Sequence, residues 1–182
     1  NGYLSGYWQC EKYFKEFRAE LLELFRFPQN QINETSRKLQ DQICMEQAVA
    51  VHVRRGDYLL PENNRKYGNI CTLQYYRNAM QYMKEKVSDA RFYFFSNDPE
   101  WVRENLSEGD SVIVNCNHGK ENYLDMYLMS QCSHNIIANS SFSWWGAWLN
   151  RNPDKIIVSP KRWFSHLDVS DAVCEDWIRI NG

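Results

Sequence analysis

The sequence is poor in several features that would each have pointed to a function. It has no long apolar run: stretches such as Ala48 to Val51 are among the longest, far short of the roughly 20 residues that span a bilayer. Neither charge is in surplus, with 21 Lys and Arg against 23 Asp and Glu and a net charge of −2. No general basic field therefore holds nucleic acid or an anionic membrane, and any anion site has to be local. Cysteine and histidine never cluster and no CxxC pair occurs, which removes the usual zinc patterns. Neither Gly-rich phosphate-loop spacing is present, so nicotinamide dehydrogenases and P-loop nucleotidases lose their main signature. An Asp-x-Asp pair, which would chelate a divalent cation, is missing as well.

What is there is ordinary globular usage, 43% hydrophobic and 24% charged over 182 residues, enough for one compact domain with its own core. The aromatic share is high, 15% with seven Trp. It predicts either an aromatic-heavy core or rings that stack on sugars or bases. Cys10, Cys44, Cys71, Cys116, Cys132 and Cys174 are evenly spread. They read as free thiols of a reducing compartment, hence a cytoplasmic chain, with a three-disulfide secreted domain as the weaker alternative. Asn33, Asn105 and Asn139 open N-x-[ST] sequons, which count only in a secreted chain. Asn1–Gly6 carry no charged n-region and no apolar h-region, so no signal peptide is expected. Opening at Asn1 rather than Met, the chain is expected to be a piece of something longer.

Helical spacing of Trp8, Phe14, Phe17, Leu21 and Leu24 predicts a helix over 8–26, stopped by Pro28. Asn33 caps a second helix running to about Gln47, with Glu34 in its first turn. Ala48–Val53 is short, apolar and rich in β-branched residues, as a strand buried on both faces of a parallel sheet is. Arg54 to Ile70 is polar and reads as a long functional loop. Further helices are expected from Thr72 to about Val87, from Pro99 behind an Asp98 cap to about Leu106, over Glu121–Cys132 and over Phe142–Leu149. Strands are expected at Arg91–Phe95, Ser111–Val114, His134–Ala138, Lys155–Val158 and Trp177–Ile180. The alternation predicts an α/β fold, a doubly wound Rossmann-like parallel sheet with helices on both faces. Ligands of such sheets sit beyond the carboxyl ends of the strands, where Arg54–Asp57, Ser96–Asp98, Asn115–His118 and Asn139–Ser143 all fall.

Within those clusters, His52-Val53-Arg54-Arg55-Gly56-Asp57-Tyr58 is the sharpest. Adjacent arginines at a strand end point to opposite sides, so at least one faces the crevice, and a guanidinium matches phosphate oxygens bidentately. A solvated loop with an Arg–Asp surface pair is the bland alternative, and an integrin-type role for Arg55-Gly56-Asp57 is remote. Asn139-Ser140-Ser141-Phe142-Ser143 lies at a helix N-terminus, an anion site by its free amides and dipole. Simple capping by Ser140 or Ser141, with Trp144 and Trp145 in the core, is compatible with it. Asp98 reads first as a helix cap, and Asp98 or Asn97 also has reach to a ribose or base edge. His118 and His134 read as structural or solvated single histidines.

His52–Tyr58, Ser96–Trp101 and the run HNIIANSSFSWWGAWL at His134–Leu149 resemble the motifs of the α-1,2-fucosyltransferases, glycosyltransferase family 11. Gly6–Gln9 through Tyr13–Phe14 and Ser159–Phe164 are also similar to family segments. A leading GGLGNQMFQYA-like segment has no counterpart, so residues 1–182 resemble the carboxyl-terminal, donor-binding part, a single GDP-sugar-binding domain with residues 1–47 as a helical lead-in. The resemblance implies one half of a GT-B-type fold. It also implies transfer of L-fucose from GDP-fucose to the 2-hydroxyl of a terminal galactose, with inversion and without a metal or other cofactor.

On that resemblance Arg54 and Arg55 bind the diphosphate and stabilise departing GDP. Ser140 and Ser141 hold the same phosphates, and His52, Asn97, Asp98 and Asn139 complete the donor site. Inversion calls for a base opposite the leaving group: Asp57 is the candidate, Glu62 the reserve, and a base in the uncovered half the third choice. The partners expected are GDP-fucose and a galactose-terminated glycan, with no nucleic acid. Peripheral association with the inner face of a membrane, and self-association through an exposed cleft, are further expectations. A non-catalytic nucleotide-sugar or glycan-binding module of the same fold is the alternative function.

Overall fold

The computed structural model describes residues 2, 3, 5, 9–167 and 170–182. Six strands form one sheet: β1 (Gln47–Val53), β2 (Ala90–Ser96), β3 (Val112–Val114), β4 (His134–Ile136), β5 (Ile157–Pro160) and β6 (Ile178–Ile180). Every pairing is parallel and the order is β3-β2-β1-β4-β5-β6. This is the doubly wound order, in which the direction of winding reverses between β1 and β4. The expected α/β class and parallel sheet are therefore observed.

The alternation along β1 assigns its two faces. Val49, Val51 and Val53 pack with Phe92 and Phe94 of β2 against α4 (Leu73–Lys86) and α5 (Pro99–Asn105), whose Tyr75, Tyr76, Met83 and Val102 are buried. Ala48 and Ala50 pack with Tyr93 and Phe95 against α2 (Glu34–Cys44) and α6 (Tyr123–Gln131) on the other face. All of β1 from Ala48 onward is buried, so small alanines on one side make room for the tyrosine and phenylalanine rings of the neighbouring strand. A third cluster joins α7 (Ser141–Trp148) to β5 and the carboxyl-terminal segment, through Trp144, Trp148, Trp163 and Trp177. Much of the aromatic excess is thus core.

Two expectations are corrected. The continuous helix over 8–26 is instead two 3₁₀ turns, Glu11–Tyr13 and Lys15–Phe17, and a short α1 (Arg18–Leu24); its proposed start at Trp8 lies outside the described residues. Phe14 interrupts it at φ −145°, because its ring stacks on Trp145 at 5.7 Å and meets Trp148 edge-on at 5.3 Å. Aromatic packing outweighs local periodicity there. The long loop after β1 contains a 3₁₀ turn, Gly56–Leu59, and α3 (Pro61–Tyr67). Pro61 presets the first helical position, while the exposed, polar Glu62, Asn64, Arg65 and Lys66 leave no apolar period to read.

Candidate active site

A cleft of about 1090 Å³ runs along the carboxyl edge of the sheet, across the β1–β4 reversal. The ends of β1, β2 and β3, the β4–α7 turn, α3 and the segment after β5 all contribute walls. His52, Arg54, Asp57, Asn97, Asn139, Ser140 and Ser141 line it; Arg55, Asp98 and Glu62 do not.

The paired arginines part as their position on a strand end dictates. Arg54 faces the cleft, its guanidinium 2.8 Å from Asp57 and 5.6 Å from the centre of the Tyr58 ring. Arg55 turns away. Its Nε donates to Asp98 Oδ2 at 3.1 Å, and its guanidinium lies 4.1 Å over the Trp101 ring on α5. Asp98 is held twice, since Oδ1 accepts from Trp101 N at 3.2 Å as the cap of α5. The Arg55 backbone donates to Asn97 Oδ1 at 2.9 Å. Gly56 follows at φ +28°, where a Cβ would stand 2.2 Å from Asn97 Nδ2. Only glycine permits this close seam between the β1 and β2 loops.

Along the same cleft, α7 begins at Ser141 behind the N-cap Ser140, whose side chain makes no capping bond. The first amides of the helix, at the positive end of its dipole, thus have no side-chain cap from Ser140. His52 completes this wall. It is 6% exposed, its ring lies 5.7 Å from Phe142, and its Nδ1 has no partner. Burial, reinforced by Arg54, lowers its pKa to about 3, so it is a neutral imidazole at ordinary pH with an unsatisfied nitrogen.

At the β3 end the walls are polar: Asn115, Asn117, His118 and Asp125. Asn117 is anchored, accepting from Ser36 Oγ at 3.0 Å and Asn33 Nδ2 at 3.2 Å, and it donates to Asp125 Oδ1 at 2.8 Å. Burial pushes the Asp125 carboxyl up to about 6, against the opposing pull of Asn117 and His118. At the β5 end the walls are aromatic, with Tyr58, Tyr67, Trp163 and Phe164.

The family model described as "Glycosyl transferase family 11" matches residues 1–181. The chain belongs to that family. An alpha-1,2-colitosyltransferase of Escherichia coli is 40% identical over 179 residues, covering 96% of this chain and 61% of that protein. The O-antigen biosynthesis glycosyltransferase WbnK of Escherichia coli is 33% identical over 185 residues, covering 99% and 61%. Galactoside alpha-(1,2)-fucosyltransferase 1 of Ateles belzebuth is 37% identical over 103 residues, covering 56% and 28%. Among solved structures, NodZ alpha-1,6-fucosyltransferase co-crystallized with GDP aligns with a TM-score of 0.39 at 15% identity, over 75% of this chain and 58% of that one. The family 11 chain thus spans 61% of the length of the two bacterial relatives.

Several residues of this family 11 chain play parts that the sequence did not distinguish. Asn139 lines the cleft, yet its side chain is spent inward: Nδ2 donates to Tyr67 O and Trp163 O, both at 3.1 Å, and Oδ1 accepts from Cys71 Sγ at 3.4 Å. At 2% exposure its sequon is sealed in the fold. His134 is structural as expected, its Nδ1 accepting from Ile156 N at 2.9 Å. All six cysteines are free. Asp125 and Tyr67 were missed. Asp125 shares a helix turn with inward Leu124, and an acid in that position was the available signal.

Among the described residues one group has metal-ligand spacing: Glu11, Cys174 and Asp176. None of the three lines the cleft. Arg18 and Lys155 face the group and already balance its charge, and burial pushes the Cys174 thiol up, away from the thiolate a metal would need. No helix among the described residues is long and apolar enough to cross a membrane.

Proposed function

We propose that this chain is the donor-binding half of a GT-B-type transferase that moves L-fucose from GDP-fucose to the 2-hydroxyl of a galactoside, with inversion. The observation that carries the reading is the arrangement at the β1–β4 reversal, where Arg54, just past β1, and the start of α7 at Ser140 and Ser141, without a side-chain cap, line the same cleft. A diphosphate between them meets a planar fork and a row of amides. Membership of family 11, with fucosyl- and colitosyltransferases among the relatives, supports a 6-deoxy sugar as the group transferred.

In this reading the acceptor hydroxyl gives its proton to a carboxylate and attacks the anomeric carbon from the face opposite the phosphate. The bond from that carbon to the β-phosphate oxygen breaks, and GDP leaves with the electron pair. Arg54 and the α7 amides take up the charge that develops, the part a divalent cation plays in other transferases. Asp57 remains the favoured base because it lines the cleft. Glu62 lies on α3 outside it, 3.7 Å from Lys66. Diphosphate on Arg54 competes with the Arg54–Asp57 pair and so releases Asp57 when the donor arrives. At the other end, the ionised Asp125 beside Asn117 suits the N1–H and amino group of guanine.

The test pairs calorimetry of residues 1–182 with a turnover assay of the full-length enzyme on lactose. The reading expects binding of GDP and GDP-fucose and formation of a 2-fucosylated product. Absence of guanine-nucleotide binding would sink it, and so would transfer from a uridine- or adenosine-based donor.

A further inference from the structure

We propose that the aromatic wall made by Tyr67 and Phe164 is the subsite for the donor's sugar, and that it selects a 6-deoxyhexose by seating the methyl edge. This inference rests on the donor-site reading above and adds the direction in which the donor lies and the residues that choose its sugar.

The two ends of the cleft differ in chemistry, with the diphosphate position between them. In this strand order the nucleoside lies over the β1–β2–β3 half, near the residue that ends β2, and the diphosphate lies at the reversal. Here Asn97 follows β2 and lines the cleft, with Asn117 and Asp125 beyond it. Whatever is attached to the second phosphate is carried toward β4 and β5, where Tyr58, Tyr67, Trp163 and Phe164 stand.

Those rings form a continuous surface. Tyr58 and Tyr67 stack with centroids 4.9 Å apart at 20°, and Tyr67 meets Phe164 at 5.4 Å and 42°. Trp163 is buried behind them, whereas Tyr67 and Phe164 are half-buried and keep area open to the cleft. The wall is fixed from behind as well. Asn139 ties the Tyr67 and Trp163 carbonyls together, Tyr58 Oη donates to Asn139 O at 3.1 Å, and Ser165 N donates to Lys66 O at 2.9 Å. A surface held this way presents ring faces without having to be ordered by the ligand.

A pyranose offers one face of C–H groups, and on a 6-deoxy sugar that apolar area extends to a methyl. Ring faces accept both. A hexose carries a hydroxymethyl where the methyl would be, and the aromatic wall gives its added hydroxyl no strong hydrogen-bond partner once water is displaced.

The experiment is calorimetry of residues 1–182 and of the variants Tyr67→Leu and Phe164→Ser, each against GDP, GDP-fucose and GDP-mannose. Phe164→Leu is the milder form, used if Phe164→Ser fails a thermal-melt check of folding. The parent is expected to prefer GDP-fucose over GDP-mannose by about tenfold. The variants are expected to lose roughly fivefold or more of GDP-fucose affinity while holding GDP within about twofold. A loss that falls equally on GDP would overturn the proposal by placing the nucleoside on the aromatic wall. Unchanged GDP-fucose affinity in folded variants would overturn it too. In both cases GDP binding by the parent leaves the donor-site reading standing. If the parent binds no guanine nucleotide, both fall together.

Discussion

Arg54 and Arg55 are neighbours in sequence with opposite surroundings, and the difference can be measured. Arg54 offers its guanidinium to the cleft, while Arg55 is committed to Asp98 and Trp101. Lysine keeps the charge of either but loses the fork. Arg54→Lys is expected to weaken GDP binding about tenfold or more, the worth of one charge-assisted contact. Arg55→Lys acts only through the loop it braces and is expected to cost a few-fold at most. Equal losses in calorimetry would show that both side chains reach the phosphates. Asp125 makes a second residue-scale prediction, through pH. Its folded pKa of about 6 lies above the 3.8 of an aspartate free in water. Between those values the folded chain holds more protons than the unfolded one, so this residue's contribution to stability falls as pH rises and is fully lost above about pH 6. Asp125→Asn is therefore expected to raise the melting temperature at pH 7, by at most about 3 kcal/mol in stability, and to flatten the pH dependence between 4 and 6. The same variant is expected to weaken GDP-fucose binding at pH 7. The diphosphate of a nucleotide sugar is diesterified and does not titrate near 6, so a loss of affinity below pH 6 that the parent shows and Asp125→Asn lacks would report on Asp125.

At the scale of elements, the cleft stands on seams between loops. Asn139, at the end of β4, joins α3, the segment after β5 and the start of α4 through Tyr67, Trp163 and Cys71. Its replacement by Ala leaves two carbonyls without their donor in a buried place. The expected cost is about 2–6 kcal/mol, at roughly 1–3 per stranded group, read as a lower denaturation midpoint. GDP affinity measured well below that midpoint should fall less than in Arg54→Lys. A loss of binding with stability unchanged would instead make Asn139 a direct ligand. How well the elements could be read from sequence followed their packing. β1 and β2, buried on both faces, stood out as continuous apolar runs. α2 and α5 announced themselves by Asn33 and Asp98, whose side chains accept from Ser36 N and Trp101 N. α3 was hidden because it is a solvated helix with no apolar stripe. The lead-in helix was over-extended because Phe14 packs into a nest of indoles rather than continuing a helical face.

The whole molecule adds two expectations. In the proposed scheme Arg54 and the α7 amides take the part of a cation, so turnover by an enzyme carrying this domain is expected to survive a chelator. Loss of turnover in EDTA with rescue by Mn²⁺ would contradict the scheme. The second concerns acceptor placement. The chain spans 61% of the length of its bacterial relatives, and positioning an acceptor hydroxyl accounts for as much as about 7–11 kcal/mol of barrier reduction. Residues 1–182 alone are expected to bind GDP-fucose yet transfer far more slowly than the full-length enzyme. Comparable turnover on a β-galactoside would show that this domain holds the acceptor site and the base as well. By itself the sequence determined the parallel sheet, its two covered faces, and several of the loops that line the cleft, because hydrophobic period and capping act over a few residues. Family membership was legible too, in the His52–Tyr58 and His134–Leu149 motifs. Only the tertiary structure decided that Arg54 and not Arg55 faces the cleft, that Asn139 is a brace, and that Asp125 and Tyr67 stand at opposite ends of one groove. Those roles depend on contacts such as Arg55 with Asp98 and Asn139 with Trp163, between residues far apart in the chain. No local pattern encodes which of two adjacent side chains finds its partner first.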